Sequence, residues 1–174
     1  MDGWERIVVF GAFVKMTGEL ELVGAQRLTD AVNRLTDFLE LRQATVEPMV
    51  TNYPIVTTVE ASAQVAKSQV VMIVPLNEET SDGSGRRLLL LHKLVRRVAI
   101  NAGNFSLVCE IFLDPHHDLR QTLERNVGDF LPVRNVHAVW VPALASQPLA
   151  LQYPFALLQP RHILSFAERE ELST

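Results

Sequence analysis

His116-His117-Asp118 is the one tight group of potential metal ligands in the chain. Neighbouring residues on a helix point about 100° apart, so two adjacent imidazoles do not readily share one metal ion. Asp114-Pro115 just ahead predicts a helix start, with Asp114 as N-cap, Pro115 in the first turn and Asp118 near the positive helix end. The group therefore reads as a polar helix entry, and no metal site is assigned to it. His137 and His162 stand alone among apolar or loop residues. No Gly-x-Ser-x-Gly nucleophile turn occurs. Gly83-Ser84-Gly85-Arg86 lacks the Lys-Ser/Thr ending of a phosphate-binding loop. Cys109, the single cysteine, lies in a strand-like run and reads as a structural thiol. One cysteine excludes an intrachain disulfide and a cysteine-based zinc cluster. No catalytic residue and no cofactor is assigned.

A different pattern points to binding. Asp37-Phe38-Leu39-x-x-Arg42 recurs as Asp129-Phe130-Leu131-x-x-Arg134, a spacing of 92 residues. Asp37, Arg42, Asp129 and Arg134 are thus candidates for two equivalent binding sites. The competing reading is that each aspartate ends a loop and each arginine covers a strand edge. Arg86, Arg87, Lys93, Arg96 and Arg97, with His92, form the only dense basic run and are the candidate nucleic-acid contacts. The net charge of −4 does not favour phosphate-driven binding across the whole surface, so such binding would rest on this local patch.

These residues must be positioned by strands. Arg6-Ile7-Val8-Val9-Phe10 is rich in β-branched and aromatic residues, and Glu19-Leu20-Glu21-Leu22 alternates with period two. Leu28, Val32 and Leu35 fall on one helix face. Strands follow from Phe38, from Ile55 and from Gln69, so the first unit reads β-β-α-β-β-β. The polar, glycine-bearing stretch from Asn77 to Gly85 is a linker. Leu88–Leu91 does not decide between helix and strand. From Val98 onward the same order returns: a hairpin to Leu113, a helix bearing Leu119 and Leu123, and strands to Phe166.

The register favours a duplication. Glu19 and Glu110, Leu22 and Leu113, Leu28 and Leu119, and Arg34 and Arg125 differ by 91; Val46 and Val139, and Ala63 and Ala156, differ by 93. The expected boundaries are a first unit at 1–76, a linker at 77–87 and a second unit at 88–174.

Arg27-Leu28-Thr29-Asp30-Ala31-Val32-Asn33 with Phe38-Leu39-x-Leu41 resembles a helix-strand segment of bacterial proteins of uncharacterised function. The resemblance covers residues 17–75. The order of five short strands, with a turn before the last, also resembles Sm-like small barrels. That resemblance implies rings closed by strand pairing between subunits, and often RNA binding. The Asp-x-Asn and Arg-Gly signatures of Sm RNA contacts are absent.

The expected fold is therefore α+β, mainly β: a tandem pair of small five-stranded Sm-like barrels or sheets, each with one inserted helix. The hydrophobic content of 48% supplies a core and fits a homo-oligomer. The N-terminal residues lack a signal-peptide pattern and no apolar run approaches the ~20 residues of a membrane span, so the expectation is a cytoplasmic protein without a membrane partner. The expected role is a non-enzymatic scaffold or binding module. Nucleic-acid binding and a small metal-dependent hydrolase at His116, His117 and Asp118 are the alternatives.

Overall fold

A computed structural model describes residues 3–22, 27–34, 36–49, 58–77, 93–126, 130–140 and 148–169. In the first half, β1 (Gly3–Phe10) and β2 (Val14–Leu22) form a hairpin, followed by α1 (Leu28–Val32), β3 (Phe38–Pro48) and β4 (Thr58–Ala66). A 3-10 turn at Lys67–Gln69 leads into β5 (Met72–Pro75). The second half runs β6 (Leu94–Ala102), β7 (Phe105–Leu113), α2 (Leu119–Arg125), β8 (Leu131–Trp140) and β9 (Leu149–Leu158). A second 3-10 turn, Pro160–His162, precedes β10 (Ile163–Glu168). Among the described residues the architecture is mainly β with two short helices, and each half follows β-β-α-β-β-β.

The expected tandem pair of five-stranded barrels or sheets is instead a single open sheet among the described residues. All ten described strands join in the order β10-β6-β7-β8-β9-β5-β1-β2-β3-β4, every neighbour antiparallel. The physical reason lies in β5, which pairs with β1 on one side and with β9 of the second half on the other. Its fully buried residues Met72 and Ile73 stand opposite Leu158 and Leu157. Met72 and Leu158 join an apolar cluster with Phe10, Leu107 and Trp140, while Ile73 and Leu157 join another with Leu20, Leu41 and Phe130. Both clusters draw on both halves, so neither half encloses its own core. Burying these side chains contributes roughly 1.5–3 kcal/mol apiece and holds the halves in one sheet.

Polar bonds fasten the same seam. The side chain of Asn33 donates from Nδ2 to the Phe130 carbonyl at 3.2 Å and accepts the Phe130 N–H at 2.8 Å. Asn104 Nδ2 donates to the Ala12 carbonyl at 3.1 Å. Gln159 N–H donates to the Val71 carbonyl at 3.0 Å, continuing the β5–β9 pairing past its last strand pair.

α2 begins later than the Asp114-Pro115 pair predicts. Asp118 is its N-cap, accepting the Gln121 N–H at 2.7 Å, while Gln121 Oε1 accepts the Asp118 N–H at 3.2 Å. This reciprocal pair satisfies two donors at once, which a single cap at Asp114 cannot do. Asp114 instead closes a turn, its carbonyl accepting the His117 N–H at 2.9 Å. The pairing of Val46 with Val139 is likewise corrected. Val46 stands opposite Met16 and Ala138 opposite Leu107, so Ala138 holds the place that Val46 holds in the first half. The 77–87 linker, apart from Asn77, and Leu88–Leu91 lie outside the described residues.

Candidate functional site: two open strand edges and the junction that matches them

Asp37 and Arg42 do not converge. Five extended residues at about 3.3 Å each put roughly 16 Å between them. The Asp37 carbonyl accepts the Lys67 N–H at 2.9 Å at the entry to the 3-10 turn. Arg42 stands opposite Glu19, with Nε 2.8 Å from Oε2, and its guanidinium lies 3.5 Å from the centre of the Trp4 ring. Arg134 stands opposite Glu110 in the same way, with its guanidinium 5.8 Å from the Phe112 ring. These arginines therefore clasp neighbouring strands. Asp129 lies outside the described residues.

The basic run is also engaged where it is described. Lys93 Nζ is 3.8 Å from Asp114, Arg96 Nε is 3.9 Å from Glu168, and Arg97 stands opposite Glu110. Arg86 and Arg87 lie outside the described residues. His116 and His117 precede the helix, and Asp118 is committed to its cap. Among the described residues no three His, Cys, Asp or Glu side chains gather as a metal site. Cys109 is buried, and burial, followed by the nearby Glu110 charge, pushes its thiol up to about 12. A protonated, enclosed thiol is a poor nucleophile. No helix among the described residues is long and apolar enough to cross a membrane.

What the geometry does offer, among the described residues, is a pair of unpaired strand edges. β4 ends the sheet on one side and β10 on the other. Their sequences, TVEASAQVA and ILSFAE, contain neither proline nor lysine, and each has one charged residue, Glu60 or Glu168. Strand edges that must stay single are usually blunted by such residues, so these two are open to pairing.

The two edges are also the two kinds of strand that meet at the internal junction. Leu39 pairs with Val65 as Leu131 pairs with Leu158, and Leu41 with Ala63 as Val133 with Ala156, so β4 holds in the first half the place of β9 in the second. Val9 pairs with Ile73 as Ile100 pairs with Phe166, and Leu76 N–H donates to the Arg6 carbonyl as Arg169 N–H does to Arg97, both at 2.8 Å. β10 thus matches β5. Both fourth-to-fifth strand connections carry the same 3-10 turn, and from Ala63 and Ala156 through the turns to Leu76 and Arg169 the correspondence is offset by 93 residues.

Burial separates the matched positions. Val71 and Ile73 are 1% and 0% exposed, whereas Leu164 and Phe166 at the corresponding places are 84% and 40% exposed. Sequence reasoning raised strand pairing between subunits but did not place it at Leu164 and Phe166, whose signal is their apolar alternation in a short strand. No family model, curated protein or solved structure matches the chain.

Proposed function

We propose that this chain is a non-enzymatic scaffold, made by tandem duplication of an Sm-like unit and acting as a homo-oligomer through its sheet edges. The observation that carries the reading is Leu164: a leucine 84% exposed on an edge strand, where the matching residue of the internal junction is 1% exposed. An apolar side chain held in water on an unprotected edge suits a surface that is covered in use. The matched topology of the halves supports duplication, because independent origins would not be expected to repeat the strand order, the 3-10 turn and the placing of an arginine opposite a glutamate together. The reading requires no catalytic group, in keeping with the structural roles of Arg42, Asp118 and Cys109.

Sedimentation velocity over a rising concentration series tests the reading. The expected result is a species of several 19.5 kDa chains that persists on dilution. A single species of one chain at every concentration would remove the scaffold reading in this form.

A further inference from the structure

We infer that the outward face of β6 to β9 is a binding site for a small planar carboxylate, a ligand with a flat apolar body and one negative charge. The inference goes beyond the scaffold reading and does not depend on how the chain assembles. A trough of about 610 Å³ lies on this face, floored by Ala99, Val108, Val139 and Ala150. The intervening Ile100, Leu107 and Ala138 are buried in the core on the other side of the sheet. The volume falls within the roughly 300–1,000 Å³ of small-molecule sites.

Strand pairing sets the shape of the trough. Asn101 stands opposite Ser106, Ser106 opposite Val139 and Val139 opposite Ala150. In the next row Ala99 stands opposite Val108, Val108 opposite His137 and His137 opposite Gln152. Four strands about 4.8 Å apart give a floor roughly 14 Å long. Alanine and valine side chains keep it low, which suits a flat ring.

The polar groups around the floor favour an anion. Gln152 Nε2 donates to His137 Nδ1 at 2.7 Å, so the neutral His137 ring carries its proton on Nε2 and presents a donor. Ser106 Oγ donates to Asn101 Oδ1 at 2.7 Å and Asn101 Nδ2 donates to Ser165 at 2.8 Å, leaving a second Asn101 amide hydrogen. Arg169 adds an exposed guanidinium, and no aspartate or glutamate is among the described residues lining the trough. In a chain of net charge −4 this face is complementary to a negative ligand. A single planar guanidinium matches the two oxygens and one charge of a carboxylate.

The first half, with the same strand order, lacks this arrangement. Val8 and Phe10 hold the places of Ala99 and Asn101 and are buried in an apolar cluster that both halves share. Lys15, ion-paired with Glu47, holds the place of Ser106, while Thr45 and Val59 hold those of His137 and Gln152. The donor set therefore belongs to the second half and does not follow from the repeated architecture.

Isothermal titration calorimetry of the full chain with 2-naphthoate tests the assignment, beside the neutral 2-naphthamide and inorganic phosphate. Saturable binding of one 2-naphthoate per chain is expected, with the amide and phosphate weaker by roughly tenfold or more. Arg169→Gln removes the cation and Ala150→Trp fills the floor, and each is expected to weaken 2-naphthoate by a similar factor. Arg161→Gln, an exposed cation outside the trough, is expected to leave affinity unchanged. Circular dichroism checks that the variants stay folded, and Arg169→Gln, just past β10, keeps the test decisive if Ala150→Trp does not. Equal affinity for acid and amide, or for wild type and Arg169→Gln, would overturn the inference. So would phosphate binding as tightly as 2-naphthoate, an equal loss in Arg161→Gln, or no saturation by about 1 mM. A wild-type monomer that binds 2-naphthoate as expected would remove the scaffold reading and leave this site standing.

Discussion

Gln43 and Asn135, 92 residues apart, share a left-handed backbone, with φ of 49° and 48°. Each immediately follows an arginine opposite a glutamate, and β2 and β7 shift register just ahead of those glutamates. The bend has a packing consequence. Leu39 and Leu41 are buried before Gln43, and Ala44 after it; Leu131 and Val133 are buried before Asn135, and Val136 after it. One extra residue in each strand thus restores the inward phase beyond the bulge.

Backbone strain at these two positions is measurable by denaturant unfolding. A non-glycine residue in the left-handed region costs about 1–2 kcal/mol, whereas glycine adopts it freely. Gln43→Gly is expected to raise stability by up to about 1 kcal/mol, because Gln43 is exposed and contributes little packing. Gln43→Val is expected to lower it by about 1 kcal/mol. The opposite order would contradict the bulge geometry.

The cap of α2 gives a prediction that separates two nearby aspartates. Asp118→Ala removes the acceptor for the Gln121 N–H and is expected to cost about 1 kcal/mol in thermal or chemical unfolding. Asp114→Ala, at an exposed turn, is expected to stay within about 0.5 kcal/mol of wild type. A larger cost at Asp114 would return the helix start to the place predicted by Asp114-Pro115.

Cys109 makes stability fall at alkaline pH. Its thiol ionises near the ordinary value of 9.0 when unfolded and near 12 in the folded chain. Between those values the native state holds more protons than the unfolded state, so unfolding is favoured as pH rises. The thiol's stabilisation is fully present below about 9 and declines by about 1.4 kcal/mol per pH unit above it. Cys109→Ala is expected to remove this slope, so its stability should converge on that of wild type from pH 9 to 11. Parallel curves for the two proteins would show that the thiol is not the source.

The sequence carries local structure better than it carries assembly. β7 is legible because its buried residues Phe105, Leu107, Cys109, Ile111 and Leu113 alternate strictly. The matched Asp-Phe-Leu-x-x-Arg segments locate the starts of β3 and β8, yet the roles of their arginines depend on Glu19, Trp4, Glu110 and Phe112 across the sheet. The bulges are harder to see, since Gln43 and Asn135 are not glycines. The β5–β9 junction leaves no local trace at all. It joins strands far apart in the chain, and Met72, Ile73, Leu157 and Leu158 would look the same inside two separate barrels. The exposed edge is hidden for a related reason: Leu164 resembles any core leucine until the sheet order places it at the end.

Light scattering on wild type beside Leu164→Lys tests the central claim most directly. Lysine on an exposed edge leaves the folded chain intact and opposes strand pairing. The account predicts an assembly of several chains for wild type and a 19.5 kDa species, or a sharply reduced mass, for Leu164→Lys. A wild-type monomer, or the same large mass for both proteins, would contradict it.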